Sequence, residues 1–177
     1  MKLFLASSLD KTISLFSSWL PKPASETRVL FVANAADPFK DKWWVTLDRE
    51  AFLTLGCQVA EIDLRKASKD EFTKHIEHTD ILHVCGGSVF YLLSLLRQEG
   101  IDKIIVNFVK ENKILYAGTS AGSIIVSPSV RLYAYDEDEQ KFIGEKTEFS
   151  GLGLVNFLIM PHSENKKFAE SNKEMIG

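Results

Sequence analysis

The chain has 177 residues, of which 45% are hydrophobic and 25% are charged, with a formal net charge of −3. This length suits one domain, and a chain of this size can bury a core without disulfides or a structural metal. The near balance of 21 basic and 24 acidic residues excludes the dense basic field typical of nucleic-acid binding. We therefore expect a single domain spanning 1–177, with no nucleic-acid partner.

The apolar segments and the cysteines indicate a protein of the reducing cytoplasm that does not enter a membrane. No segment approaches the about 18 uninterrupted apolar residues of a membrane span. The apolar run at 3–6 is too short for a signal peptide. Cys57 and Cys85 lack metal-site spacing and cannot build a disulfide framework. We interpret both as buried small hydrophobes, with a reactive thiol as the alternative at Cys85.

Short β-rich apolar runs alternate with segments of helical periodicity, a pattern typical of an α/β domain with a mostly parallel sheet. In chain order the sequence predicts a strand at 2–6, a helix at 10–20, a strand at 28–33, a helix from 41 to 55, a strand at 58–64, a helix at 68–77, a strand at 80–85, helices at 89–99 and 101–110, a strand at 114–117, a helix from 123, a strand at 130–135, an acidic loop at 136–140, a strand at 157–160 and a closing helix that includes Phe168 and Ala169. Gly56 is the expected left-handed cap, and the Ser68 and Glu71 pair has capping-box spacing.

A Gly-x-Ser-x-Gly pentad, Gly118-Thr119-Ser120-Ala121-Gly122, lies between a predicted buried strand and a predicted helix. This is the context of a nucleophile elbow, where a sharp strand-to-helix turn projects the serine hydroxyl above the sheet. Such a turn places the Ala121 amide at a helix N-terminus, where developing negative charge is favoured. The pentad therefore predicts Ser120 as a nucleophile, with a plain Gly/Ser turn as the alternative.

A serine hydroxyl needs a base within hydrogen-bond reach, so the four histidines are the candidates. His75 and His78 lie in a charged helical segment and suit a solvated surface. His83 lies inside a strand, where we expect a satisfied, partly buried ring. His162 follows Pro161 at the carboxyl end of a predicted strand, where open α/β sheets bind ligands. We therefore predict His162 as the base.

Two further groups complete the predicted site. Asp136 is the first carboxylate after the predicted strand at 130–135, and it is the candidate to orient the histidine, with a solvated acidic loop as the alternative. Gly87, after the strand that ends at Cys85, can direct a backbone amide at an oxyanion, or can simply terminate the strand.

Three stretches of the chain resemble the peptidase E group of serine exopeptidases, whose fold is that of the class I glutamine amidotransferases. Gly86-Gly87-Ser88-Val89-Phe90-Tyr91-Leu92-Leu93 resembles the family's Gly-Gly-Gly-Asn-Thr-Phe segment, 117–123 resembles its elbow, and 151–162 resembles its histidine segment. The resemblance implies a three-layer α/β/α fold, with Ser120 as nucleophile, His162 as base, and the Gly87 and Ala121 amides as the oxyanion hole. It also implies hydrolysis of short peptides that begin with aspartate; a related branch, the cyanophycinases, degrades cyanophycin.

The sequence departs from the family's pattern in three places. Cys85 replaces the first of three glycines and Ser88-Val89 replace Asn-Thr, so the loop at the oxyanion end is expected to differ. The acidic member aligns poorly: Tyr135 and Asp136 compete for its place, Asp138 is close by, and a Ser-His dyad stays open. Since 15 residues follow His162, we expect the chain to lack C-terminal elements of the family.

The leading hypothesis is a cytoplasmic serine peptidase that needs no metal or cofactor and takes a small peptide as its partner. Whether it is a monomer or a homodimer stays open. Arg131 is the nearest basic candidate to face a substrate carboxylate. The alternatives are a non-catalytic small-molecule-binding domain, which a His162 ring more than about 5 Å from Ser120 would favour, and an esterase, whose His-Gly-Gly-Gly motif the sequence lacks.

Overall fold

The computed structural model describes residues 1–162, in which five strands form one parallel sheet. The strands are β1 (Lys2–Ala6), β2 (Arg28–Val32), β3 (Gln58–Glu61), β4 (Ile81–Val84) and β5 (Leu115–Thr119), arranged in the order β1-β5-β4-β2-β3. Every pairing in this sheet is parallel. The predicted α/β class with a parallel central sheet is confirmed.

Helices cover both faces of the sheet. They are α1 (Ile13–Ser17), α2 (Trp43–Leu55), α3 (Lys69–Glu77), α4 (Val89–Gln98), α5 (Ile101–Lys110), α6 (Ala121–Ile124) and α7 (Glu137–Gln140). Helices α1 and α2 bury Phe16 and Phe52 against the face that carries Phe31. Helices α3 to α6 pack on the opposite face, which carries Leu30. Alternate residues of β2, β4 and β5 thus contribute to two hydrophobic cores, as expected for strands buried on both faces.

Local signals in the sequence set several helix ends as predicted. Gly56 adopts the left-handed conformation, with φ of 91°, and terminates α2. The Ser68 hydroxyl accepts a hydrogen bond from the Glu71 amide at 3.2 Å and so caps α3. Both devices satisfy backbone groups that a helix end would leave unpaired.

Four predicted elements differ in the structure. The predicted strand at 130–135 is wrong, because Arg131–Tyr135 forms a 3-10 helix. The predicted strand at 157–160 forms no sheet pairing within 1–162, and the Ile159 amide bonds to the Ser127 hydroxyl. The predicted acidic loop contains α7, and the first helix is shorter than predicted. The predicted closing helix lies outside the described residues. Apolar runs alone do not show whether a neighbouring strand is there to pair with them.

In 1–162, no helix has both the length and the apolar character needed to cross a bilayer.

The register of the sheet brings three chain segments to one edge. Ala6 pairs with Thr119 across β1 and β5, and Val84 pairs with Gly118 across β4 and β5. The residues that follow these strands, including Ser7 and Ser120, therefore leave the sheet at the same carboxyl edge. Parallel α/β sheets bind their ligands at this edge.

The helix after β5 packs so closely on β4 that only glycine fits at position 122. A methyl group added to Gly122 would lie 2.0 Å from the Val84 carbonyl oxygen, which belongs to the backbone and cannot move aside. We expect Gly122→Ala to lower the free energy of unfolding by about 1–3 kcal/mol, as overpacking does. The measurement is the thermal unfolding midpoint by circular dichroism.

Gly144→Ala is the matched control for this substitution. A methyl group there meets no heavy atom within 4 Å beyond its chain neighbours, so the midpoint should stay or rise slightly. Equal midpoints for the two variants would contradict the packing argument.

Candidate active site

Ser120 stands between β5 and α6 in a strained backbone conformation, with φ of 47° and ψ of −111°. A non-glycine residue adopts this geometry only where the surrounding structure imposes it. Three contacts do so: the Ser120 amide donates to the Ala6 carbonyl at 3.0 Å, the Ile124 amide donates to the Ser120 carbonyl at 2.9 Å, and the Tyr116 hydroxyl donates to the Gly122 carbonyl at 2.6 Å. The result is the strand-to-helix elbow that the pentad predicts, with the Ser120 side chain partly exposed.

The structure brings His162 to this serine. Its Nε2 atom lies 3.0 Å from Ser120 Oγ, and its backbone amide donates to Ser7 Oγ, also at 3.0 Å. The chain segment that leads to His162 is also fixed, because the Tyr133 hydroxyl donates to the Ile159 carbonyl at 2.7 Å. Residues distant in sequence thus place the imidazole over the carboxyl edge of the sheet.

The environment of His162 favours a neutral ring. Burial lowers the pKa of His162 below the ordinary histidine value, and the positive charge of Lys11 lowers it further. A neutral imidazole whose Nε2 carries no proton can accept the hydroxyl proton of Ser120. The geometry and the charge state therefore both suit a general base.

The loop after β4 lies beside the serine. A methyl group added to Gly86 would lie 3.0 Å from Ser120 Cβ, and Gly86 is held by a 3.0 Å hydrogen bond from the Trp44 indole to its carbonyl. Gly87 has φ of 148° and packs so tightly that an added methyl would lie 2.0 Å from the Ala35 carbonyl oxygen. Neither the Gly87 amide nor the Ala121 amide has a hydrogen-bond acceptor among 1–162. Both amides can therefore donate to a further acceptor.

The structure does not bring Asp136 to His162. The Asp136 carboxylate instead accepts a hydrogen bond from the Asp138 amide at 2.9 Å and caps α7. Asp138 is exposed on the same short helix. A capping role therefore explains this carboxylate without the histidine.

Glu139, which was not singled out in the acidic run, bonds the start of α4, directly after the Gly86–Gly87 loop. Its buried carboxylate accepts hydrogen bonds from the Ser88 hydroxyl at 2.7 Å and from the Val89 and Phe90 amides at 2.6 and 3.1 Å. Burial raises the pKa of Glu139, and these hydrogen bonds oppose that rise. The carboxylate thereby anchors the first turn of α4. Its neighbours in sequence are all acidic or polar, so no pattern distinguished it.

Asp48 was missed as well, and here a signal existed. It lies on α2 four residues after Trp44 and three before Ala51, so it falls on the apolar face of the helix. It is 2% exposed and contacts His83 and Cys85. His83 is fully buried rather than partly buried, and its Nδ1 has no hydrogen-bond partner within 1–162, so the expected satisfied ring is not observed. Cys85 is also buried, and its pKa is raised well above the ordinary value by burial and by the Asp48 charge, so it remains a thiol.

The remaining residues considered from the sequence lie outside the Ser120–His162 pair. Arg131 places its guanidinium 4.4 Å from the centre of the Phe149 ring, a cation–π contact. His75 and His78 lie at the end of α3, at a distance in the fold from the carboxyl edge, as predicted for surface residues. Cys57 is a buried thiol, as predicted.

The parallel sheet and the Ser120–His162 pair place this chain in a class of α/β proteins. Members of this class carry a serine at a nucleophile elbow, hydrogen-bonded to a histidine. The chain belongs to peptidase family S51, whose family profile matches residues 3–177.

Individual relatives agree with this membership. An uncharacterized peptidase of Listeria monocytogenes is 32% identical over 98% of this chain and 83% of its own length. A peptidase E of a Nostoc species is 28% identical over 85% of this chain and 58% of its own length. A crystal structure described as a peptidase E protein of Listeria monocytogenes superposes with a TM-score of 0.92 at 31% identity, over 99% of this chain and 86% of that one. Membership and relatives together support a peptidase.

Proposed function

We propose that this protein is a serine-type peptidase that hydrolyses small peptides through an acyl-enzyme. The observation that carries the proposal is the 3.0 Å contact between His162 Nε2 and Ser120 Oγ at a strained elbow. A histidine within this distance can take the hydroxyl proton as the oxygen attacks a carbonyl. Family membership supports the peptide as the substrate.

The reaction follows from the positions of these groups. Ser120 Oγ attacks the peptide carbonyl carbon while its proton passes to His162 Nε2, and a C–O bond forms. The tetrahedral intermediate collapses when His162 returns that proton to the leaving amine and the C–N bond breaks. Water, deprotonated by His162, then attacks the acyl-enzyme, and protonation of Ser120 releases the acid.

The oxyanion would be held by the amides of Gly87 and Ala121. The Ala121 amide opens α6 directly after the nucleophile, and Gly87 lies in the loop that touches Ser120. Donors fixed in advance stabilise developing charge without reorganising in the transition state. The mechanism as proposed uses no metal or cofactor.

A binding domain without catalysis is the competing function, and the geometry favours the enzyme. The binding alternative expects the His162 ring more than about 5 Å from Ser120, whereas the two side chains are 3.0 Å apart. A partly exposed Ser120 side chain also suits reaction with a substrate.

Removing the nucleophile gives the first test. Treatment with a small fluorophosphonate should add one adduct to the wild-type protein by intact-mass spectrometry and none to Ser120→Ala, because the reagent needs an activated serine. Dipeptide hydrolysis should fall by several orders of magnitude in Ser120→Ala and nearly as far in His162→Ala. Ser25→Ala, which removes an exposed hydroxyl just before β2 and away from the carboxyl edge, is the control and should keep its adduct. Hydrolysis that persists in Ser120→Ala would refute the mechanism.

The pH dependence of acylation gives a second test. Only neutral His162 can accept the Ser120 proton, and burial lowers the pKa of His162. The acylation rate should therefore rise with pH through a midpoint below that of a free histidine and level off above it. The midpoint is measured by quenching the fluorophosphonate reaction at successive times at a series of acidic to neutral pH values and quantifying the adduct by mass spectrometry. A midpoint above that of a free histidine would show that a different group, or a charged environment, governs the reaction.

The substrate class rests on the family rather than on a contact. We propose a preference for peptides that begin with aspartate, in line with relatives named peptidase E. The guanidinium of Arg131 stacks on Phe149, and this contact gives no support for Arg131 as the residue that binds the substrate carboxylate.

Paired substrates measure this preference directly. Asp-Leu should be hydrolysed with a kcat/KM at least about tenfold above that of Asn-Leu, its uncharged isostere, since about 1.4 kcal/mol of charge recognition corresponds to tenfold. Leu-Leu controls for general dipeptidase activity. Equal rates for Asp-Leu and Asn-Leu would remove aspartate specificity and leave the serine mechanism standing.

A further inference from the structure

A buried carboxylate lies beneath the elbow and collects hydrogen bonds from three chain segments. Asp48 Oδ2 accepts from the Thr119 hydroxyl at 2.5 Å, from His83 Nε2 at 3.2 Å and from Cys85 Sγ at 3.3 Å. Asp48 Oδ1 accepts from the Leu9 amide at 3.1 Å. The carboxylate is 2% exposed, so protein groups and not solvent satisfy it.

Three of these donors are chain neighbours of the groups that the proposed mechanism uses. Thr119 directly precedes Ser120, and Cys85 directly precedes the Gly86–Gly87 loop. Leu9 follows Ser7 by two residues, and the Ser7 hydroxyl holds the His162 amide. One side chain on α2 is therefore bonded next to the proposed nucleophile, next to the Gly86–Gly87 loop and within the loop whose Ser7 holds His162.

The carboxylate is ionised, which suits this role. Burial alone would raise the pKa of Asp48, but hydrogen bonds from His83, Thr119 and the Leu9 amide, with the charge interaction with His83, hold it below the ordinary value. An ionised carboxylate is an acceptor only and can take several donors at once. His83 consequently donates from Nε2, and its ring lies against Phe31 and Phe52. Hydrogen bonds to a buried charge are the strong ones.

A metal ion at the same residues is the competing interpretation. Asp48, His83 and Cys85 offer donor atoms that lie within 4.8 Å of one another. However, Asp48 Oδ2 itself is in hydrogen-bond contact with both other donors and with Thr119, so it occupies the centre of the group. The arrangement therefore favours a hydrogen-bond hub over a metal site.

We propose that Asp48 is a positioning residue that holds the nucleophile, the oxyanion loop and the base segment in register with one another. This inference rests on the proposed serine mechanism. Asp48 does not touch the substrate; it acts through Thr119, Cys85 and Leu9. Because small displacements of reacting groups can cost about a hundredfold in rate, loosening the hub should lower kcat and leave KM nearly unchanged.

The test removes the shortest hydrogen bond to Asp48, the one from Thr119, while keeping the shape of the side chain. Thr119→Val removes the hydroxyl that donates to Asp48 and retains the branched side chain, whereas Thr119→Ser retains the hydroxyl. We expect Thr119→Val to lower the fluorophosphonate acylation rate and kcat about tenfold to a hundredfold, with Thr119→Ser close to wild type. Asp48→Asn should lower them at least as far. Thermal unfolding midpoints identify any variant that fails to fold.

A matched control separates positioning from general loss of stability. Thr27 is also fully buried, and its hydroxyl donates to the Lys22 and Pro23 carbonyls before β2, away from the carboxyl edge. Thr27→Val should lower the unfolding midpoint and keep the wild-type acylation rate. Folded Thr119→Val and Asp48→Asn with wild-type rates would overturn the inference, and so would a slow Thr119→Ser, which would indicate packing rather than the hydroxyl. Stoichiometric zinc in the purified protein would overturn it in favour of the metal site.

A second readout distinguishes failure of this inference from failure of the proposed function. Hydrogen–deuterium exchange of peptides covering 85–90 and 117–124 does not depend on activity. Faster exchange of both in Thr119→Val than in Thr27→Val supports the hub even if the wild-type protein takes no adduct, an outcome that would refute the serine mechanism alone. Unchanged exchange in both peptides would refute the hub.

Discussion

The strained backbone at Ser120 is the constraint on which the rest of the site depends. A non-glycine residue with φ of 47° costs about 1–3 kcal/mol, which neighbouring contacts must offset. The close fit of Gly122 against Val84 and the buried Tyr116 hydrogen bond to the Gly122 carbonyl fix the first turn of α6. Since the chain cannot relax there without losing these contacts, the serine hydroxyl stays above the sheet.

The parallel register extends that local constraint to the whole site. Because β1, β5 and β4 end together, a loop from each strand reaches the same edge. The loop after β1 supplies Ser7, which bonds the His162 amide, and the loop after β4 supplies Gly87. A site assembled in this way needs no long-range motif in the sequence, because the sheet itself brings distant segments together. The precision of the site then depends on what fixes these segments relative to one another. Asp48 is bonded to one residue of each: Leu9 after β1, Cys85 after β4 and Thr119 at the end of β5.

The parts of this site that the sequence predicted are those with a local cause. The pentad at 118–122 requires glycines for steric reasons, and Gly56 and Ser68 mark helix ends through their own backbone or hydroxyl, so each could be recognised within a few residues. His162 was predicted as the end of a strand at 157–160 that the structure does not form in 1–162; the hydroxyls of Ser127 and Ser7 hold this segment instead. The partners of Glu139 and Asp48 were not predictable in this way, since each accepts from a donor 50 or more residues away in the chain. The helix pattern could show that Asp48 is buried, but not which groups would meet it.

Asp136 and Glu139 are acidic residues of one short helix, yet the fold gives their carboxylates different roles. Asp136 caps α7, and that cap orients the short helix so that Glu139, on its buried side, reaches the N-terminus of α4. There the carboxylate takes the Ser88 hydroxyl and two amides that a helix start leaves without partners. Ser88 and Val89 are also the positions where the chain departs from the Asn-Thr of the family it resembles. The departure thus coincides with a buried acid bonded to those same two residues, so the acidic run supports the start of α4 and, within 1–162, its Asp136 carboxylate is bonded to α7 and not to His162.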